Sequence, residues 1–444
     1  MTDPELQRLV GWFRQSSPYI HAHRGATFVI AVGGEILNEG NLPALVHDLA
    51  LLNTLGIRLV LVPGARPQID ACLQDKGLEP RYQEGLRITD EPAMACVKQA
   101  VGSVRMEFEA LLSMGLANSP MAGLRVRVAS GNLVTARPIG VRDGTDYLHT
   151  GEVRRIDHQA LRQRLDDGAV VIASPVGYSP TGEAFNCSRE DVALSIASGL
   201  GAEKLLLLRD EDGLRDADGG LVREMTTEQA RSYLGREHDE MADRKRVLRL
   251  AIDACHRGVS RVHFLARRRD GVLLMELFTR DGVGTLVTAH SFERLRSATV
   301  DDVGGILELI EPLEREGVLV RRSRELLETE IDRFLVMERE GTVVACAALY
   351  PLGDSRSGEL ACVVVHPDYR GSGRGERILE RMEASARSQG LDRLFVLTTR
   401  APHWFQERGF APASLTELPV GRRELYNYRR NSRVYSKGLP RQDL

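Results

Sequence analysis

The stretch GELACVVVHPDYRGSGRGERIL, residues 358–379, concentrates chemistry-bearing residues in the second half of the chain. An apolar run ends at Val365, the chain turns through His366-Pro367, and glycines 371, 373 and 375 lead into a helix predicted over Glu376–Ser388. Backbone N–H groups at such a helix start bind anions, and the glycines let a pyrophosphate approach. Arg370 and Arg374 add charge, with Ser372 between them. A P-loop would need Gly-Lys-Ser/Thr, which is absent. A dinucleotide fingerprint would need a third glycine at position 376, a glutamate here. A glycine-rich turn with no ligand is the plain alternative. A second glycine pair closes TFVIAVGGEIL, residues 27–37. An apolar strand running into Gly33-Gly34 suits a phosphate, and a phosphate site would want a cation beside those glycines. Position 31 supplies alanine.

The elements that must position these loops follow two rhythms. In the first half, apolar runs at Phe28–Val32, Leu59–Val62, Leu124–Val128, Ala169–Ala173, Lys204–Leu208, Arg261–Leu265 and Leu273–Phe278 read as strands. Several lack polar alternation, which suits strands buried on both faces. Amphipathic helix patterns lie between them, at Leu42–Leu55, Glu91–Ser113 and Glu190–Gly199. The class is therefore α/β, with a largely parallel sheet and helices on both faces. Gly33-Gly34, Pro63-Gly64 and Pro175-Val176-Gly177 mark the carboxyl edge where such sheets bind ligands. The boundaries read as a first domain over 1–286, a linker over 287–294 and a second domain over 295–444. In the second, a helix is predicted from Asp301-Asp302 and another over Ser323–Phe334. Strands follow at Leu335–Glu338, Val343–Leu349, Glu359–Val365 and Leu394–Thr398.

Composition narrows the class of partner. The 444 residues carry 59 basic and 62 acidic side chains, a net charge of −3 that argues against a charge-driven nucleic-acid binder. The six cysteines form no CxxC pair, which fits thiols used as small apolar residues in a reducing compartment. Asp3 and Glu5 argue against a signal peptide, and no run approaches the roughly 20 apolar residues of a membrane span. A cytoplasmic protein without a metal site is expected.

Residues 370–375 match the Arg/Gln-x-x-Gly-x-Gly/Ala coenzyme A loop through Arg370, Gly373 and Gly375, and APHWFQERGF (401–410) resembles a late helix ending in Gly-Phe. The second half thus resembles the GNAT acetyltransferases. In the first half, VPGARPQI, YLHTGEVRRID, AEKLLLL and LMELFTRDGVGT resemble the acetylglutamate kinase branch of the amino-acid kinase fold, a three-layer α/β/α architecture. The two fused resemble the bacterial N-acetylglutamate synthases, across nearly the whole chain. That resemblance implies acetyl transfer from acetyl-CoA to the α-amino group of L-glutamate, at the start of arginine biosynthesis. It also implies feedback by L-arginine and a homo-oligomer, a hexamer in the family. Ala31 stands where the kinases carry lysine, and Gly64-Ala65-Arg66 replaces a longer glycine run. The fold is then kept as an arginine sensor.

By resemblance, the backbone of Cys362, Val363 and Val364 pairs with the pantetheine arm, and the loop from Arg370 through Gly371, Ser372, Gly373 and Arg374 to Gly375 holds the pyrophosphate. Glu359 is the candidate base; without the resemblance it reads as a solvated strand-end carboxylate. Many GNAT enzymes protonate the leaving thiolate with a tyrosine, but that position is Phe405 here. The family places a serine on the preceding strand, where this chain has Thr398. Arg322 in VLVRRSRE and Arg430 in RRNSRV, with Ser432, are implied to hold the substrate carboxylates, and Arg422 is a weaker candidate. Bidentate guanidiniums suit carboxylates. For the effector, Glu276 would take the guanidinium, Gly282 and Gly284 would let the backbone close in, and Tyr19 and Lys204 match nearby positions. The rival readings are an arginine-binding sensor with a vestigial transferase half, an active kinase with an appended domain, and a protein acetyltransferase acting on lysines.

Overall fold

The computed structural model describes the chain except residues 1–2, 115–124, 217–218, 237–241, 290, 292, 340, 354–355, 372, 429 and 441–444. It contains two compact units that divide between residues 290 and 291.

The first unit is built on an eight-stranded sheet. Its order is Glu224–Thr226, Thr285–Thr288, Arg261–Ala266, Lys204–Arg209, Thr27–Val32, Arg58–Pro63, Val170–Ile172 and Val128–Ser130. Every pair is parallel except Arg261–Ala266 with Thr285–Thr288. The central strand explains the missing polar alternation. Phe28, Ile30 and Val32 enter one apolar cluster with helices Leu42–Thr54 and Glu91–Ser113, while Val29 and Ala31 enter the other with helices Arg189–Leu200 and Ala242–His256. Both faces are dry, giving the three layers expected. A small closed barrel of Val134–Pro138, Thr150–Ile156, Val176–Tyr178 and Ala184–Cys187 lies outside the sequence reading. A Cβ at Gly177 would overlap Ala136 and one at Gly151 would meet Phe185 at 2.5 Å, so these glycines permit strand contact in the barrel.

Two expectations in this unit need correction. Leu273–Phe278 is not a strand but part of helix Val272–Phe278, entered through Gly271 in the left-handed region at φ 65°. A short apolar run satisfies either period when it is buried, and here it packs as a helix into the cluster that holds Phe28, Ile30 and Val32. In the run predicted over Leu124–Val128, Leu124 lies outside the described residues and the strand is Val128–Ser130.

The second unit is a seven-stranded sheet ordered Glu293–Ser297, Phe334–Arg339, Thr342–Pro351, Ser357–Val365, Arg393–Thr398, Arg433–Gly438 and Ala411–Ala413. Only Ser357–Val365 and Arg393–Thr398 run parallel. Helix Arg374–Ser388 buries Ile378, Leu379 and Met382 on one face, and helix Val303–Arg315 buries Val303, Ile306 and Ile310 on the other. Thr299 and Asp302 form a capping box before the latter helix. The helix predicted over Ser323–Phe334 is shorter. It spans Arg324–Thr329 with a Ser323 cap, because Phe334 is taken into the sheet.

The connection between units is also shorter than 287–294. Val287 and Thr288 pair with Val262 and Arg261, and Glu293 and Arg294 pair with Arg339 and Glu338. Glu293 was excluded from the expected domain, yet its carboxylate, 7% exposed, accepts from Arg374 Nε at 2.6 Å and Arg377 Nη1 at 2.9 Å, with Arg339 at 3.4 Å. Removing a buried carboxylate that three guanidiniums share leaves like charges facing one another. Glu293→Ala should therefore cost about 3–5 kcal/mol. Thermal unfolding should show the transition of this unit lowered by roughly 10 °C, and a shift under 2 °C would mean that water screens the cluster.

Candidate active site and effector corner

The candidate site of the second unit follows from one irregularity in its sheet. Ser357–Val365 pairs with Arg393–Thr398 only from Ser357↔Arg393 to Leu360↔Val396, and there the pairing stops. On its other side the strand shifts register between Cys346 and Ala348, and Cys362 takes φ 50°. One extra residue there bends the strand away from its parallel neighbour. The segment Cys362–Val364 then presents backbone toward the gap, while the Cys362 and Val364 side chains stay buried against helix Val303–Arg315.

The strand runs on into the glycine loop. Gly371 and Gly373 have φ 83° and 73°, and Gly373 caps helix Arg374–Ser388. A Cβ at either would meet nothing within 4 Å, so these glycines serve backbone conformation and open approach rather than packing. Gly375 differs: its Cβ would meet Trp404 at 3.1 Å, so it is a packing glycine. Ser372 lies outside the described residues. Arg370 is exposed, and its Nε donates to Val365 O at 3.3 Å. Arg374 departs from expectation. Its guanidinium is held by Glu293 and by Tyr369 O at 3.1 Å, so it anchors the loop to the sheet edge instead of adding loose charge.

Around Glu359 the structure gathers side chains far apart in sequence. Arg422 grips the carboxylate with both arms of its fork, Nη2 reaching Oε1 at 3.0 Å and Nε reaching Oε2. Arg430 donates to Val318 O, and its buried Nε has no partner among the described residues. Burial and then the neighbouring Arg322 pull the Arg430 guanidinium below the ordinary arginine range. Arg322 is partly buried beside Cys362 and Tyr350, and its backbone N–H donates to Glu314 Oε1 at 2.9 Å. Ser432 is buried and precedes Arg433, which pairs with Thr398. The Thr398 oxygen accepts N–H bonds from Arg400 at 3.3 Å and Ala401 at 3.1 Å, leaving its own proton to donate. Three guanidiniums beside a carboxylate, one of them with a buried N–H that lacks a partner among the described residues, would suit a ligand with more than one carboxylate.

The first unit holds two distinct features. Where Thr27–Val32 and Arg58–Pro63 end, a cleft of about 400 Å³ is lined by Gly34, Gly64, Arg66, Arg87, Arg189 and Arg267, among others. A Cβ at Gly34 would come 2.7 Å from Gly64 O, so the two glycine loops touch. Ala31 is 1% exposed. Three of the cleft's guanidiniums are engaged, Arg87 by Asp70, Arg189 by Glu190 and Arg267 by Glu39.

The second feature is the corner where the expected effector residues meet. Glu276 accepts from His263 Nδ1 at 2.6 Å and from the amides of Val283 at 2.6 Å and Gly284 at 3.0 Å. Burial opposes its charge, but these bonds hold the carboxyl at about 2. Gly282 has φ 59° and its Cβ would lie 2.5 Å from Glu276 Oε2, while a Cβ at Gly284 would overlap Phe264 O. Both glycines are required by the close approach. Lys204 is buried, with Nζ 3.6 Å from Glu203. His23 bonds Leu277 O at 2.9 Å and lies 6.4 Å ring to ring from Tyr19. Burial and then Lys204 lower His23 to about 4, so it is neutral at pH 7.

The Amino acid kinase family pattern matches residues 26–266 and the Acetyltransferase (GNAT) family pattern residues 304–410. An amino-acid acetyltransferase of Azotobacter vinelandii is 56% identical over 98% of this chain and 100% of its own length. One from Pseudomonas putida is 56% identical over 97% of this chain and 99% of its own. The crystal structure of Neisseria gonorrhoeae N-acetylglutamate synthase with coenzyme A and L-arginine superposes with a TM-score of 0.84, at 41% identity, covering 97% of this chain and 99% of that one. The chain belongs to the amino-acid acetyltransferases.

Sequence reasoning missed several parts of this acetyltransferase. Arg422 was only a weak candidate, though it makes the closest contact with the expected base. His263 and His23 were not singled out; a histidine inside the apolar run Arg261–Leu265 was the available signal. Phe405 is packed between Trp404 and Phe410, ring centroids 4.9 and 5.5 Å away, as a core residue. Glu276 has both oxygens engaged by His263 and the 283–284 amides rather than standing open for a guanidinium.

The loop glycines yield a clean test. Gly373→Ala puts a Cβ on a left-handed residue, a strain of about 1–2 kcal/mol. Relief of that strain turns the helix-start amides, and calorimetry should find coenzyme A affinity reduced about tenfold, equivalent to ~1.4 kcal/mol. Unchanged affinity together with a lowered Tm would show that these amides are not the anion site.

Proposed function

We propose that this acetyltransferase moves acetyl from acetyl-CoA to the α-amino group of L-glutamate, giving N-acetyl-L-glutamate and coenzyme A, and that L-arginine regulates it in the cytoplasm. The observation that carries the reading is the set of Arg322, Arg422 and Arg430 around Glu359, beside the backbone freed where the strands part. A second structure of the gonococcal synthase, complexed with coenzyme A and N-acetyl-glutamate, superposes with a TM-score of 0.62 at 41% identity. A sensor with a vestigial transferase half is disfavoured, since a relic has no reason to keep an orphaned buried arginine N–H.

The pairing of Glu359 with Arg422 shapes the mechanism. The fork occupies both carboxylate oxygens as hydrogen-bond acceptors. An incoming substrate carboxylate competes for the fork and releases Glu359, so the base becomes available when glutamate is bound. Arg430, with its unpartnered Nε, and Arg322 hold the carboxylates, with the Ser432 hydroxyl as a further donor. The α-ammonium loses a proton toward Glu359, directly or through water, and the free amine attacks the thioester carbon. The C–S bond breaks, and the Thr398 hydroxyl donates to the departing sulfur. The two N–H bonds that its oxygen accepts make that hydroxyl a better donor.

Steady-state kinetics test these roles. Glu359→Gln keeps shape but abolishes basicity, so kcat should fall about 10²–10⁴-fold with little change in acetyl-CoA affinity. The deficit should shrink as pH rises, because more glutamate then arrives as free amine. A change under threefold, with chemistry rate-limiting, would assign the proton to another route. Arg430→Ala should instead raise the KM for glutamate about 10- to 100-fold, and an effect on kcat alone would remove it from the binding role.

For the effector, the corner of Tyr19, Lys204, Glu276, Gly282 and Gly284 is the proposed arginine site. Each carboxylate oxygen has two acceptor positions, so Glu276 can take a guanidinium N–H beyond the bonds it makes. Glu276→Gln should abolish the response to arginine while leaving the KM for glutamate unchanged without arginine; a retained response would move the site elsewhere. A homo-oligomer, a hexamer by family likeness, is supported by the N-terminal helix. Leu6, Leu9, Val10 and Phe13 lie one face apart at helical spacing and are 45–61% exposed. Sedimentation equilibrium gives the copy number, and a monomer at micromolar concentration overturns this part.

A further inference from the structure

We propose that Cys72 and Cys96 form a reversible disulfide under a thiol oxidant, clamping two helices of the first unit. The sequence shows only two cysteines 24 residues apart. Helix Arg66–Asp75 carries one and helix Glu91–Ser113 the other, and their packing brings the sulfurs to 2.7 Å. Both are free thiols. A disulfide needs about 2.05 Å, so a shift well under the size of one atom completes it. Their exposures differ in the way the chemistry requires: Cys72 is half-buried and reachable, and Cys96 is fully buried directly behind it. The other four cysteines are buried, which leaves Cys72 as the thiol an oxidant can reach.

With glutathione disulfide as oxidant the steps balance. The Cys72 thiolate attacks one glutathione sulfur, the glutathione S–S bond breaks, and one glutathione leaves as thiolate and takes up a proton. The Cys96 thiolate then attacks Cys72 Sγ of the mixed disulfide, releasing the second glutathione. Two protein thiols are oxidised and one glutathione disulfide is reduced to two glutathione molecules. The contact with Cys96, and then burial, raise Cys72 above the ordinary thiol range, with Lys76 acting in the opposite direction. The attacking thiolate is therefore scarce at neutral pH, and oxidation should take minutes to hours rather than seconds.

The position gives the link a structural consequence. Helix Arg66–Asp75 forms a wall of the cleft: Arg66 and Ile69 line it, and Asp70 holds both Tyr82 OH at 3.0 Å and Arg87 Nη2 at 2.6 Å. Tying this helix to Glu91–Ser113 fixes that wall. The transferase residues belong to the other unit, so acetyl transfer without arginine should not respond to the link.

The test uses the full chain equilibrated with glutathione disulfide and then alkylated. Free thiols should fall from six to four, intact mass measured before alkylation should drop by ~2 Da for two hydrogens, and peptide mapping should join Cys72 to Cys96. Dithiothreitol should restore all six. The linked protein should melt about 5 °C higher. Cys72→Ser should keep five thiols and gain no stability under the same oxidant. Cys96→Ser should stop at a mixed disulfide on Cys72. Six thiols remaining in the unaltered protein, a stable glutathione adduct on its Cys72, a link between other cysteines or a lowered Tm would each overturn the proposal.

Discussion

The parting of two parallel strands organises the transferase half. After Leu360 and Val396 the strands Ser357–Val365 and Arg393–Thr398 no longer pair, and a bulge at Cys362 bends the first away. Backbone groups in a sheet must find partners, because an unpaired buried N–H or C=O costs about as much as a lost hydrogen bond. The parted edge is therefore a place for a ligand that supplies its own amides. The same geometry sets Glu359 among the last paired residues and Thr398 at the end of the partner strand, on either side of the gap. The glycine loop follows because the strand runs directly into it.

Charge completes that site. Glu359 and Arg422 neutralise each other, while Arg322 and Arg430 keep a cationic excess beside them. Arg430 pays for its burial with a lowered affinity for its proton and an N–H without a partner among the described residues, both of which a carboxylate would relieve. Glu293 plays the opposite part at the sheet edge, drawing Arg374 and Arg377 into a fixed arrangement. Arginines of similar appearance in the sequence thus divide into those that Glu293 fixes at the sheet edge and those that gather around Glu359.

In the first unit the sheet is dry on both faces, so its shape survives changes at its carboxyl edge. The cleft there keeps its touching glycine loops, with Ala31 buried in the adjoining strand. The proposed effector corner depends instead on Glu276, whose carboxylate ties His263 to the 282–284 turn. Burial alone would discharge that carboxylate; the three hydrogen bonds reverse the balance.

The central strands of the first sheet and the helices Leu42–Thr54, Glu91–Ser113 and Arg189–Leu200 were legible in the sequence because a dry, two-faced strand has no polar alternation and an amphipathic helix has its own period, whereas the strands Glu224–Thr226 and Thr285–Thr288 at one edge were not. The glycine loop was legible because glycines at 371 and 373 answer a local need for positive φ. Local requirements leave local marks. Short buried segments left none: Val272–Phe278 is helical, and the barrel strands depend on contacts rather than period. The grip of Arg422 on Glu359, the capture of Arg374 by Glu293 and the meeting of Cys72 with Cys96 span 63, 81 and 24 residues of chain. Each is a distance between side chains on separate elements, and only the packing of those elements sets it.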